Sequence, residues 1–239
     1  MKIENAIILA AGRGSRMGCL TNDMPKCMMK INNKTIIQRT IEVFKYKNIN
    51  NIIVITGYKS DVLRQHLNKI DNNIKIIENS IWNFSNSITS MKAALKYLKN
   101  SIVIDSDIYI NNYDCIKNDV EYSGYSAVKT SRPSEWQLLT DAEGFIKKTE
   151  KSGQYEEGLP IIDISYWLKE DANIVANCIL DVLSNEQIDS KNKFWDEIPL
   201  IDFLHQFRLK RYDINEKDAM EFDTPEDLEK VRKIVCSVD

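Results

Sequence analysis

Two pairs of carboxylates share a spacing that suits chemistry. "IVIDSD" ends an apolar run with Asp105 and Asp107, and "MEFD" sets Glu221 and Asp223 the same two positions apart. On an extended strand end, residues i and i+2 share one face. Two carboxylates so placed repel unless a cation joins them, and Mg2+ takes oxygen ligands with phosphate completing its shell. A strand running into an Asp-rich turn is the plainer alternative for the first pair. A helix cap is the alternative for Asp223. However, "TPEDLEKVRKIV" already offers Thr224 as N-cap, Pro225 at N1 and Asp227 at N3, which frees Asp223.

The phosphate partner is sought at the other end of the chain, in "AIILAAGRGSRMGCLTNDMPK", residues 6–26. An apolar run ends there in a glycine loop with Arg13 and Arg16, and Lys26 follows Pro25. Gly12 and Gly14 let backbone N–H groups approach a ligand closely. A dinucleotide fingerprint would need glycines at 12, 14 and 17, but residue 17 is Met, and no GxxxxGK[ST] loop occurs. From the glycines alone, a strand-to-helix turn with solvated arginines stays open.

The elements that must carry these residues alternate. Residues 5–11, 51–57, 74–79 and 101–107 are short apolar runs bounded by polar residues, as expected of buried parallel strands. Between them, 34–47, 60–70 and 85–99 have apolar residues at helical spacing, with Ser60 expected as an N-cap. That order predicts an α/β fold: a doubly wound, mostly parallel sheet with helices on both faces. The glycine loop would then lie at the carboxyl end of the first strand, where such sheets bind ligands. The second half predicts short strands at 125–130, 136–141 and 144–150, helices at 173–184, 198–207 and 224–235, and a late strand at 209–214. No linker or repeat interrupts the chain, so we expect one domain over 1–239, with an alternating half, 1–110, and a differently patterned half, 111–239.

Composition narrows the class. With 32 Lys and Arg against 35 Asp and Glu, the net charge of −3 argues against broad nucleic-acid binding. Five scattered cysteines without a CxxC suit a reduced, cytoplasmic protein. Glu4 and Asn5 interrupt the start, so no signal peptide is expected, and no apolar run is long enough to insert in a membrane.

"LAAGRGSRMG" followed by "PKCMMKINNKTIIQRTIEVF" resembles the nucleotidyltransferases that join a nucleoside triphosphate to a sugar phosphate or an amino-alcohol phosphate. "NFSNSITSMKAAL", "VIDSDIYI", "SEWQLL", "NKFWDEIPL" and "AMEFDTPEDLEKVRKI" extend the likeness toward bacterial CTP:phosphocholine cytidylyltransferases and their 2-aminoethylphosphonate relatives. The resemblance implies a glycosyltransferase-A-like nucleotide-binding fold. It implies CTP held by Leu9, Ala10, Ala11, Gly12, Gly14, Ser15, Arg16, Lys26, Asn86, Ser87 and Asp105, with Arg16 and Lys26 on the phosphates. It makes Asp107 and Asp223 the Mg2+ ligands, with Glu221 in support.

An attacking phosphate or phosphonate oxygen is already an anion, so no general base is required. His66 and His205, both on predicted helices, are expected to be structural. A quaternary ammonium on the acceptor would be held by aromatic faces with a carboxylate nearby. The second half is rich in aromatics, among them Trp136, Tyr155, Tyr166, Trp167, Phe194 and Trp195. We expect the acceptor to be lined by Glu135, Trp136, Tyr109, Trp167, Trp195 and Asp196, although each aromatic could equally be core. Phosphocholine is the first expectation. Aminoethylphosphonate or another amino-alcohol phosphate, a sugar 1-phosphate, and a non-catalytic nucleotide-binding module remain alternatives. The oligomeric state, monomer or homodimer, is open.

Overall fold

The computed structural model describes residues 1–129, 136–152, 158–185, 189 and 191–236. Strand β1 (Asn5–Ala10) leads into the glycine loop, followed by the small ribbon β2 (Lys30–Ile31) and β3 (Lys34–Thr35). Helix α1 (Ile36–Tyr46), β4 (Asn51–Thr56), α2 (Ser60–Ile70), β5 (Lys75–Glu78), α3 (Ser87–Ala94) and β6 (Ser101–Asp105) complete the alternating half. β7 (Ile108–Ile110), β8 (Gly124–Lys129), β9 (Gln137–Thr140), β10 (Ile146–Glu150) and β11 (Leu159–Trp167) follow. Then come α4 (Lys169–Ser184), β12 (Lys210–Asn215), β13 (Ala219–Glu221) and α5 (Pro225–Cys236).

The main sheet has the order β10-β9-β11-β6-β1-β4-β5, and β8 joins β11 to β12. β6, β1, β4 and β5 are parallel, whereas β11 runs antiparallel to β6, to β8 and to β9. The expected mostly parallel sheet with helices on both faces is therefore present. Its alternation explains the layering. Ala6, Ile8 and Ala10 of β1 pack with Ile37, Ile41 and Phe44 of α1 and Leu63 and Leu67 of α2. Ile7 and Leu9 point the other way, to Ile88 and Met91 of α3 and Val175 and Ile179 of α4. Each Ile or Leu buried in this way contributes about 1.5–3 kcal/mol relative to exposure, so one strand anchors both helical layers. A third cluster joins Met17, Tyr109, Met220 and Phe222 to Leu228 and Val231 of α5.

Several local expectations change. Ser60 is the first residue of α2 rather than its cap; the cap is Lys59, in a left-handed conformation (φ 50°). The Ser60 hydroxyl instead meets Thr56 Oγ1 at 2.9 Å and donates to Glu78 at 3.1 Å. The helix expected over 85–99 ends at Ala94 and continues only as a 3-10 turn. The helix expected over 198–207 is a π-helical turn at Ile198–Asp202 and a 3-10 turn at Leu204–Gln206. Pro199, without an N–H, denies that segment a regular ladder. β11 had no counterpart in the sequence reading, because Pro160 and Asp163 break its apolar run. Among the described residues, no helix is long and apolar enough to cross a membrane.

Candidate active site

β1 and β6 are parallel neighbours paired in register, with Leu9 opposite Asp105. The glycine loop leaves one carboxyl end and Asp105–Asp107 leaves the other, so they converge. Gly14 sits at φ 65°, ψ 51°, and a Cβ there would stand 3.0 Å from Cβ and Cδ of Lys26. Its missing side chain is what lets the loop lie on the lysine stem. A Cβ on Gly12 would meet no protein atom within 4 Å and would face the cleft.

The late acids arrive through a second device. β13 pairs antiparallel with β7, setting Glu221 opposite Ile108, and the Phe222 N–H donates to the Asp107 carbonyl at 3.3 Å. Residues more than 100 positions apart in the sequence, Asp107 and Phe222, thus become neighbours. The Thr224 hydroxyl accepts from the Asp227 N–H at 3.2 Å, and Asp227 accepts from the Thr224 N–H at 3.3 Å. This capping box starts α5 without using Asp223.

Carboxylate oxygens of Asp107, Glu221 and Asp223 lie within 4.8 Å of one another. Lys26, only 6% exposed, donates to Asp107 Oδ2 at 2.9 Å and to Asp223 Oδ1 at 2.8 Å. Arg16 reaches Asp223 Oδ2 at 2.8 Å. Burial disfavours the charged ammonium of Lys26, but Asp107 and Asp223 outweigh it and raise its pKa. Asp107 Oδ1 is buried and has no hydrogen-bond partner. A buried orphan oxygen within a set of oxygen donors fits a hard divalent cation.

Besides a cavity against α5 that is lined by Glu221, Asp223, Asp227 and Lys230, two cavities flank this centre. One, of about 290 Å³, is lined by Leu9, Ala11, Gly12, Arg13, Gly14, Lys26, Trp82, Ser85, Asn86, Ser87, Ser90, Asp105, Ser106, Asp107 and Phe194. Eight of the expected nucleotide residues therefore lie together there. Arg16 lines the other cavity, Ala10 is buried on the α1 and α2 face, and Ser15 lies exposed in the loop. Asn86 caps α3 by accepting from the Ser87 N–H at 3.0 Å.

The other cavity, of about 400 Å³, is lined by Arg16, Asp105, Trp136, Ile161, Asp163, Phe194, Asp196, Glu221 and Asp223. Of the residues expected around an acceptor, Trp136 and Asp196 are there. Tyr109 is not: it is 5% exposed in the cluster beneath α5. Trp167 and Trp195 are also core residues, 0% and 2% exposed, packed edge-on at 5.8 Å with Tyr125 between the sheet and α4. Long apolar strands and helices bury their aromatics, and sequence adjacency to Asp196 did not carry Trp195 into the cleft. Glu135 and Tyr155 lie outside the described residues.

Phe194 and Asp163 complete the second cavity. The Phe194 ring meets Trp136 edge-on at 6.1 Å. Asp163 projects from β11, and a lone acid inside the apolar run "LPIIDISYW" was the signal that could have found it. Asp196 is buried and accepts from the Tyr125 hydroxyl at 2.8 Å. Burial, followed by the charge of Asp163, raises the pKa of both Asp196 and Asp105. Neither histidine lines these cavities; His66 meets Thr35 Oγ1 at 2.8 Å, next to the start of α1.

Residues 6–114 match the MobA-like NTP transferase domain. The choline-phosphate cytidylyltransferase of Haemophilus influenzae is 26% identical over 223 residues, 93% of this chain and 94% of that protein. The 2-aminoethylphosphonate cytidylyltransferase of Lancefieldella rimae is 26% identical over 197 residues, 81% of this chain and 78% of that protein. The solved structure of CTP:phosphocholine cytidylyltransferase from Streptococcus pneumoniae superposes with a TM-score of 0.89 at 25% identity, covering 98% of this chain and 100% of that one. With the glycine loop, Lys26 and the three acids at one centre, the chain carries a MobA-like NTP transferase domain over residues 6–114 and is similar along most of its length to choline-phosphate and 2-aminoethylphosphonate cytidylyltransferases.

Proposed function

We propose that the protein transfers a cytidylyl group from CTP to the phosphate of phosphocholine, releasing pyrophosphate. The observation that carries this reading is the sharing of one centre by two cavities. The cavity beneath the glycine loop holds Arg13, Lys26 and polar Ser and Asn side chains, which suit a triphosphate and its nucleoside. The other shares Asp105 and Phe194 with it, opens on Glu221 and Asp223 of the same acidic centre, and is walled by Trp136, Asp163 and Asp196, which suit a small organic cation. An acceptor bound there by its ammonium reaches the centre with its phosphate.

The phosphate oxygen attacks the α-phosphorus in line, the bond to the β-phosphate bridging oxygen breaks, and pyrophosphate leaves. Positioning and charge neutralisation supply the catalysis. Lys26 sits where the reacting phosphates meet, kept charged by Asp107 and Asp223. Arg16 lines the acceptor cavity and pairs with Asp223, and would bring its charge to a phosphate bound there. Asp107, Asp223 and Glu221 would hold Mg2+, which when bound neutralises charge on the triphosphate. The aromatic pair and Asp196 fix the cation and exclude water from it.

A second reading has a specific observation in its favour. Asp163 adds a third carboxylate beside Asp105 and Asp196, and a primary ammonium offers three N–H donors where a quaternary one offers none. Aminoethylphosphonate would use that set more fully.

A pyrophosphate-release screen tests both. CTP, UTP, dTTP, ATP and GTP are each paired with phosphocholine, aminoethylphosphonate, phosphoethanolamine and glucose 1-phosphate. Turnover with CTP and phosphocholine is expected. Preference for aminoethylphosphonate selects the second reading, turnover with the sugar alone replaces the acceptor, and silence with every pair leaves a nucleotide-binding module.

A further inference from the structure

The cavity beneath the glycine loop is lined by both charged and uncharged residues. Lys26, Asp105 and Asp107 belong to the acidic centre, whereas Arg13 lies over the Tyr58 ring. The other lining residues, among them Trp82, Ser85, Asn86, Ser87 and Ser90, carry no charge. A ligand filling it therefore meets the charge of Lys26 and Arg13 as well as neutral side chains that hydrogen-bond. A nucleoside triphosphate suits such a lining, and Trp82 offers it a broad aromatic face.

The indole is held firmly. A Cβ at position 57 would stand 2.7 Å from both Cβ and Cγ of Trp82 and 2.7 Å from the Ala11 carbonyl oxygen. Glycine at that position is what lets Trp82 close against the end of β1. The Tyr58 ring supports the indole edge-on at 5.5 Å. The Tyr58 hydroxyl in turn donates to the Thr21 carbonyl at 2.7 Å, and Arg13 lies over its ring at 5.6 Å. Trp82 is thus braced by the residue that pins the far end of the phosphate loop, while its own side chain stays partly exposed to the cavity. Phe194, the other aromatic here, belongs to the wall shared with the acceptor cavity.

We propose that Trp82 is the stacking platform for the nucleotide base, an inference that rests on the nucleotidyl-transfer reading above. Stacking on an indole is tolerant of base identity, because every base has a π-face. Trp82 therefore sets affinity for the nucleoside, and the choice between cytosine and uracil falls to the hydrogen-bonding groups around it.

Calorimetric titration of the intact protein with CTP, UTP and inorganic tripolyphosphate tests this in the parent, Trp82→Ala and Trp82→Phe. Trp82→Ala should weaken CTP and UTP by the same factor, about 10- to 100-fold, and leave tripolyphosphate unchanged. Trp82→Phe should recover most of the loss. Unchanged CTP affinity in Trp82→Ala overturns the proposal. Equal weakening of CTP and tripolyphosphate also overturns it, because Trp82 would then only brace the phosphate loop through Tyr58. A parent that prefers another nucleoside triphosphate to CTP removes the cytidylyl assignment and leaves the platform standing. A parent that binds none removes both.

Discussion

Lys26 and Asp223 are separated by 197 positions in the sequence, yet the lysine ammonium lies 2.8 Å from the aspartate Oδ1. The same ammonium lies 2.9 Å from Asp107 Oδ2, so one cation bridges two of the three acids that could hold a metal. Lysine and metal thus compete for the same oxygens, and a triphosphate offers the lysine somewhere else to go. Metal and nucleotide should therefore bind synergistically.

The first prediction follows from that competition. Lys26→Met should tighten Mn2+ binding to the nucleotide-free protein, read by electron paramagnetic resonance. It should also lower turnover by about 10²-fold or more, a loss near 2.7 kcal/mol. Reduced turnover with unchanged Mn2+ affinity would show that the ammonium does not guard the acids. The raised pKa of Lys26 fixes the pH range. Its stabilising contribution is fully present below its ordinary value of 10.5 and is lost only as pH climbs through the higher folded value.

A second prediction concerns the acids as one unit. Asp107→Asn and Asp223→Asn should each fold, because both side chains are about one-fifth exposed at the cleft. Each should nearly abolish turnover, and the double variant should be little worse than either single one, as groups acting together are not additive. Steady-state rates across a Mg2+ titration decide it. An active Asp223→Asn at ordinary Mg2+ would leave the metal with Asp107 and Glu221.

A third prediction separates the two glycines of the loop. Gly14→Ala meets both the left-handed backbone and the Lys26 stem at 3.0 Å. It should cost about 1–2 kcal/mol, lowering Tm by about 2–8 °C for a chain of this size. Gly12→Ala finds no protein atom within 4 Å of the new methyl. It should leave Tm unchanged and weaken CTP binding instead. A Tm loss in the second variant without an affinity change would show that Gly12 serves the fold alone.

The alternating first half was legible because its signals are local. A strand, a glycine loop and a Pro-Lys pair sit within 21 consecutive residues, and β1 and β6 needed only parallel pairing to bring Lys26 near Asp107. Asp223 was legible through its i, i+2 partner and the Thr224 capping box. The rest of the second half was not. Whether Trp136 or Trp167 lines a cavity depends on which face of an antiparallel strand turns inward, and β11 was hidden by its own proline and acid. Asp163 and Phe194 come from a strand and a loop with no shared motif, so only the fold brings them together.

The last prediction concerns the acceptor cation. Asp196 projects beside Asp163 from β11 and Asp105 from β6, with the Tyr125 hydroxyl of β8 donating to it and Glu197 next in sequence. Burial, then Asp163, lifts the Asp196 pKa above its ordinary 3.8. Between that value and the raised folded one, the folded state holds more protons than the unfolded state, so stability from this group falls as pH rises through the window. A bound organic cation reverses the balance, because it favours the ionised carboxylate. Choline has no titratable proton of its own, so its affinity should rise with pH across that window, followed by tryptophan fluorescence. Asp196→Asn keeps an oxygen to accept from Tyr125 but cannot ionise; it should weaken choline binding and flatten the pH dependence. Affinity that stays level or falls with rising pH in the parent would mean that the aromatic pair alone holds the cation, and that the three acids serve the fold or the metal.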